Sequence, residues 1–280
     1  MNLITTNVEN FVSETYHDLL QFINYEEQGK SLSELRLNDG KPVPEEMNSY
    51  IVLLCIYLNT TWARCSGSLI SENFVLTAGH CTNSDGSNVI VAHGKENLQE
   101  YVGVRSTSPI DEYVGEEFNV EERRVKQVYF YPNQTRKKYD LALMKLENPF
   151  KVNVSFLDVA TKKVHILKNC MSIGYGISEI PKQQLTLGYI VNEPLTLTAP
   201  SFKLKDERFC IIRSKRLSSI CPGDSGSPLI CDKKIWGVTA YGDEKNCKNN
   251  LLFCYYPLFR AKKWLSSYGL NQIRYVATPK

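Results

Sequence analysis

The chain has 280 residues, 42% of them hydrophobic and 22% charged, a balance that fills a sizeable core and excludes a disordered or fibrous protein. Its 33 basic side chains stand against 30 acidic ones, a formal net charge of +3 without the concentrated basic surface that nucleic-acid binding selects. Nine cysteines are more than a reducing compartment usually holds, and the odd number leaves at least one thiol unpaired within a monomer.

Taken in chain order, residues 8–23 place Val8, Phe11, Val12, Tyr16, Leu19, Leu20 and Ile23 at three- and four-residue steps, which predicts a short amphipathic packing helix. Acids are scattered through the start of the chain (Glu9, Glu14, Asp18, Glu26, Glu27). It has neither the basic head nor the apolar stretch of a signal peptide, and a truncated or processed N-terminus would reconcile this with the cysteine usage. Later segments are short β-rich runs separated by turn residues: 50–58, 67–76, 89–92, 125–131, 141–146, 164–173, 185–191, 228–231 and 235–241. The longest apolar run, 50–58, is far below the about 20 residues that cross a bilayer, so no membrane partner is expected. Many strands without intervening helices predict an all-β sandwich or barrels. Residues 103–122 carry six acids and read as a long exposed loop; without a fixed ligand spacing they suit a solvated segment better than calcium. The helical pattern returns over 258–268.

The chemistry concentrates in CPGDSGSP, residues 221–228. Ser225 is flanked by Gly223 and Gly226, and glycine allows a turn tight enough for backbone N–H groups to converge on one point. The N–H groups of Gly223 and Ser225 then suit an oxyanion hole, worth on the order of 10²–10³ in rate per donor. A serine needs a base, and of the four histidines (His17, His80, His93, His165) His80 stands out, because it follows a strand in LTAGHC and sits beside a cysteine. The other three read as surface or core residues. Asp140 opens the apolar run DLALMKL, where a carboxylate needs a partner, and it can hold the tautomer of a histidine base.

These three segments, SGSLISENFVLTAGHC, DLALMKLENP and CPGDSGSPLIC, resemble those of the chymotrypsin-like (trypsin-like) serine proteases over roughly residues 37–270. The resemblance implies two six-stranded antiparallel β-barrels, a cleft between them and a C-terminal helix around Trp264. It assigns His80 as general base, Asp140 as its orienting partner, Ser225 as nucleophile, and Gly223 with Ser225 as the oxyanion hole. It also implies the disulfides Cys65–Cys81, Cys170–Cys231 and Cys221–Cys247. Of the three cysteines left, a Cys210–Cys254 bond is a further hypothesis, and Cys55 on its apolar strand reads as a buried free thiol. The stretch LRLNDGKPVPEEMNSYIVLL resembles the family's activation junction, with Arg36–Leu37 as the matching bond. Residues 1–36 are then a propeptide and 37–280 the protease domain, and the freed Leu37 ammonium pairs with Asp224 to fix the Gly223–Ser225 turn. Leu37 stands where the family prefers isoleucine or valine.

For specificity, the resemblance places Ser219 at the base of the primary pocket, where the trypsin branch has an aspartate, so an apolar or small side chain is the expected preference. Gly242 keeps one wall open, whereas LLFCYYP sets Phe253 or Cys254 at the opposite wall, where either can fill the pocket. Gly79 and Ser227 replace the family's alanine and glycine. The expected function is that of a secreted serine endopeptidase made as a zymogen, acting without metal or cofactor. Its partners are protein or peptide substrates, an activating protease and protein inhibitors, and the expected state is monomeric. The rival reading is a weak or inactive protease-like binding protein with an obstructed pocket. Sequons at Asn59, Asn133 and Asn153 fit secretion but are about as many as chance supplies.

Overall fold

The computed structural model describes most of residues 49–133, 139–176 and 220–270, together with the strand pairs and short runs named below. The predicted helix at 8–23, Arg36, Leu37, His17 and His165 lie outside the described residues, as do Ser219, Cys221, Gly242 and Cys247.

The first strands are β1 Lys41–Pro42, β2 Ile51–Leu58, β3 Thr61–Ser71, β4 Phe74–Thr77, β5 Val89–His93, β6 Glu121–Phe130 and β7 Ala142–Leu146. Strands β2 to β7 close a barrel in the order β2-β3-β4-β7-β6-β5, every pairing antiparallel. The run at 67–76 is therefore two strands rather than one, broken where Glu72 and Asn73 turn the chain back. Residues 51–56 of β2 are all buried, which explains why this strand lacks the polar alternation of a one-sided sheet. Leu53, Leu69, Val75, Leu76, Leu143 and Met144 are fully buried members of the core. Removing so many β-branched and aliphatic side chains from water is what holds the barrel closed, at about 1.5–3 kcal/mol each before chain entropy is counted.

The later strands are β8 Asp158–Val159, β9 Ile166–Leu167, β10 Cys170–Gly174, β11 Gly188–Asn192, β12 Leu195–Thr196, β13 Phe209–Ile212, β14 Pro228–Cys231, β15 Lys234–Tyr241 and β16 Leu252–Pro257. Seven strands run β1-β11-β10-β14-β15-β16-β13 and β8 joins β15, giving an eight-stranded sheet. All-β architecture and one closed six-stranded barrel match the expectation; closure of a second barrel is not seen among the described residues. The predicted run 164–173 divides into β9 and β10.

Two helices complete the described part, α1 Leu98–Arg105 and α2 Lys262–Ser266. The second agrees with the helical pattern at 258–268 and seats Trp264 edge-on to Tyr131, with ring centroids 5.5 Å apart. The segment 103–122 is largely exposed as expected, Asp111, Glu112, Glu116 and Glu117 included, but its two ends hold a buried charge pair. Arg105 and Glu122 are buried and joined by an ion pair at 3.3 Å, Tyr101 donates to Glu122 at 2.6 Å, and Phe118 is buried beneath them. A charge pair 17 residues apart shows no helical or strand period, so the pattern of acids alone does not reveal it.

Candidate active site

His80 sits on a single 3-10 turn, Gly79–Cys81, directly after β4. The disulfide Cys65–Cys81 anchors that turn to β3, closing a loop of 16 residues and contributing on the order of 2–4 kcal/mol. Asp140 lies two residues before the start of β7 and is 2% exposed. Its Oδ2 is 2.6 Å from His80 Nδ1, and its Oδ1 accepts the His80 backbone N–H at 2.8 Å. Both carboxylate oxygens are thus committed to one residue, which fixes the ring and directs Nδ1–H at the carboxylate, leaving Nε2 as the free base nitrogen. Tyr139, just before the aspartate, holds a left-handed φ of 58°, with its ring packed against Tyr131 and Tyr256. Such a conformation costs on the order of 1–3 kcal/mol in a non-glycine residue and persists because those neighbours hold it.

Ser225 occupies the turn that leads into β14. Gly223 has φ 102° and Gly226 φ 81°, conformations that favour glycine. A Cβ at Gly226 would collide with Thr77 Oγ1 and the Ser66 carbonyl, so this glycine is what lets the serine turn close against the strand before His80. Ser66 ties the two parts together. Its N–H donates to the Ser225 carbonyl at 2.8 Å, its Oγ donates to the Gly223 carbonyl at 2.9 Å, and the same Oγ accepts the Tyr175 N–H at 2.9 Å. A buried hydroxyl satisfied on both sides positions the turn; Ser66 opens the segment SGSLISENFVLTAGHC, but nothing in that segment points to its partners. Among the described residues no hydrogen bond joins Ser225 Oγ to His80 Nε2, a contact that often tightens only with substrate bound.

The Asp224 carboxylate accepts the Gly176 N–H at 2.8 Å. A Cβ at Gly174 or Gly176 would strike that carboxylate, so GYG is read in retrospect as the space it needs. Ser227, where a glycine was expected, buries its hydroxyl 2.8 Å from Thr239 Oγ1, which explains why the change is tolerated.

Cys170–Cys231 is bridged and ties β10 to β14. Cys55 is a free, buried thiol, pushed up to about 12 by burial. Cys254 is buried and disulfide-bonded, and stands opposite Cys210 in the β13–β16 register. Phe253 lies next to it on β16. His93 is a core residue, its ring 5.4 Å from that of Phe150. Cys65, His80 and Cys81 cluster within 4.8 Å, but both sulfurs are spent in the disulfide and offer no thiolate to a metal.

An antiparallel β-sheet fold with a histidine–carboxylate couple beside a glycine-flanked serine turn defines a serine hydrolase. The trypsin family matches residues 40–265, so the chain belongs to that family and is a serine endopeptidase. It is 28% identical to mouse (Mus musculus) kallikrein 1-related peptidase b27 over 72% of this chain and 78% of that protein. It is 26% identical to alpha-fibrinogenase of Macrovipera lebetinus over 85% of this chain and 89% of that protein. In structure it is similar to mouse brain neuropsin, a serine protease, with TM-score 0.62 and 21% identity over 83% of this chain and 99% of that one, a likeness of fold.

Proposed function

We propose that the protein hydrolyses peptide bonds through a Ser225–His80–Asp140 triad and an acyl-enzyme. The observation that carries this reading is the doubly held His80–Asp140 couple, docked against the Ser225 turn through Ser66. Ser225 Oγ attacks the substrate carbonyl carbon while its proton passes to His80 Nε2. The oxygen that becomes negative is met by the N–H groups of Gly223 and Ser225. As the C–N bond breaks, the imidazolium returns the proton to the leaving amine, and Asp140 stabilises the cation without itself taking a proton. Water then repeats the sequence on the ester, releasing the acid and restoring Ser225.

The chain acts as a zymogen of residues 1–36 and 37–280, activated by another protease at Arg36–Leu37, with the new Leu37 ammonium meeting Asp224. Its site of action is extracellular, which two disulfides and a further bridged cysteine among the described residues support. No helix among the described residues is long and apolar enough to cross a membrane. The preferred residue before the scissile bond is apolar or small, because Ser219 supplies no charge to a Lys or Arg. Protein inhibitors of the monomeric enzyme act at the same cleft.

A fluorophosphonate probe and a peptide library test this together. Chain cleaved after Arg36 is expected to be labelled on Ser225 and to cleave after apolar residues. Asp140→Asn should lower kcat by about 10⁴, because the amide holds the wrong tautomer of His80. Absence of labelling on folded, cleaved protein overturns the triad and leaves the binding-protein reading in its place.

A further inference from the structure

Tyr139 adopts φ 58° immediately before the aspartate of the couple, and a left-handed backbone is an outlier for so bulky a side chain. What the conformation does is local. The Tyr139 carbonyl accepts the Leu141 N–H at 2.7 Å, closing a three-residue turn with Asp140 at its apex. The Leu141 carbonyl accepts the Tyr131 N–H at 3.0 Å, and Ala142 stands in register with Phe130 on β6 and Thr77 on β4. The barrel ladder thus fixes Asp140 from its C-terminal side, and Tyr139 fixes it from the other. The two carboxylate oxygens must reach two different atoms of His80, the backbone nitrogen at 2.8 Å and Nδ1 at 2.6 Å. An extended Tyr139 reorients its carbonyl, opens the turn and lets the Asp140 backbone move, so that both contacts cannot be kept.

Aromatic packing from three elements holds the conformation. The Tyr139 ring lies 5.4 Å from that of Tyr131 and edge-on to Tyr256 at 6.1 Å. Tyr131 packs in turn on Tyr256 and on Trp264, each at 5.5 Å, and its hydroxyl donates to the Arg260 carbonyl at 3.4 Å. Tyr131 follows β6 of the barrel, Tyr256 belongs to β16 and Trp264 to α2. Ring pairs of this kind add packing energy beyond their buried area. Packing alone asks for no special φ, because an aromatic ring is as easily buried from an extended backbone; the outlier therefore calls for a use in the backbone itself. We propose that Tyr139 is a positioning residue for Asp140: the rings of Tyr131, Tyr256 and Trp264 hold its left-handed backbone, and that backbone keeps the turn that aims both Asp140 oxygens at His80. This rests on the reading of His80 and Asp140 as the base couple of the triad. It makes the eight-stranded sheet, through Tyr256, and the C-terminal helix, through Trp264, contributors to the geometry of a couple carried by the barrel.

Two readouts test this and keep it apart from the triad reading. One is the far-downfield proton resonance of His80 Nδ1–H, recorded on the full chain carrying Ser225→Ala, where no nucleophile is needed. The other is saturation kinetics of fluorophosphonate labelling, on chain cleaved after Arg36 with Ser225 intact. Tyr139→Ala should move the resonance upfield or broaden it. It should also lower the maximal labelling rate at least about tenfold at an unchanged half-saturating concentration, a loss confined to the reacting step. Tyr139→Phe keeps the ring and should match the unsubstituted chain in both. Tyr139→Asn lacks the ring yet accepts a left-handed backbone, and should recover most of what alanine loses. Tyr139→Val, whose β-branched side chain opposes that backbone, should be at least as slow as alanine and takes its place if the alanine variant does not fold, as melting curves report. A resonance or a rate unchanged in the alanine and valine variants overturns the role. So does an asparagine variant as impaired as alanine, which makes the packing of the ring the cause. If the chain with Tyr139 intact shows no downfield resonance, the couple falls and the role with it. A resonance present without labelling of the chain that keeps Ser225 and Tyr139 is instead a failure of the triad alone.

Discussion

At the residue scale the site depends less on the reacting groups than on small residues that let backbones approach. Gly226 combines φ 81° with a Cβ position already occupied by Thr77 and the Ser66 carbonyl. Gly226→Ala therefore meets two penalties at once, a left-handed alanine and an overpacked contact, together about 2–5 kcal/mol. The serine turn and the His80 strand must separate to relieve them, and a shift near 1 Å in a reacting group costs on the order of 10² in rate. The expected outcome is a lowered melting temperature with fluorophosphonate labelling of Ser225 at least about 10²-fold slower. A labelling rate equal to that of the unsubstituted chain would show that Gly226 does not set the position of Ser225. The serine, histidine and aspartate are legible in the sequence because each lies in a local motif. The role of Ser66 is not legible, although it opens the histidine segment, because its contact with Gly223 spans 157 residues.

At the scale of elements, strands with one polar face or clear turn boundaries, such as β5, β7, β14 and β15, are read correctly from pattern. β16 is missed by pattern alone because LFCYYP has no alternation, Cys254 to Pro257 being buried one after another on both faces, whereas the resemblance sets Cys254 on a strand beside that of Cys210, as the register bears out. The same strand decides the last cysteines. Cys254 is bridged, Cys210 faces it across β13–β16, and Cys55 is a free thiol whose pKa burial lifts from 9.0 to about 12. At pH 8 iodoacetamide should leave the native chain unlabelled, since the thiolate that reacts is absent and the sulfur is enclosed. After denaturation without reductant the label should appear on Cys55 alone, and the peptides of Cys210 and Cys254 should migrate as one until reduced. Labelled Cys254 in the denatured chain would break the proposed bond. The sign of the pH effect follows. A thiol pKa raised on folding favours the fold below about pH 9 and loses that contribution as pH rises toward 12.

At the scale of the whole molecule the reacting groups come from two sheets, His80 and Asp140 from the barrel and Ser225 from the eight-stranded sheet, so their alignment depends on what fixes the serine turn from its own side. Asp224 is the group placed to do so. Its carboxylate is seated against Gly174 and Gly176 and takes the Gly176 N–H. An ammonium delivered there adds a second, charge-assisted hold, and breaking such a partly buried pair costs about 3–5 kcal/mol because the remaining charge is left uncompensated. Activation by cleavage after Arg36 therefore predicts a switch in the turn rather than the exposure of a covered site. Arg36→Gln should prevent maturation by a trypsin-like activator and leave Ser225 without fluorophosphonate label. The unsubstituted chain should begin at Leu37 after treatment, on N-terminal sequencing, and acquire the label with the same time course. Asp224→Asn should be cleaved normally yet label at least about 10²-fold more slowly, since the chain is processed but the oxyanion donors stay loose. Full labelling of uncleaved chain, or of cleaved Asp224→Asn, would remove the ammonium–carboxylate pair from the mechanism and leave the Ser66 contacts as what holds the turn.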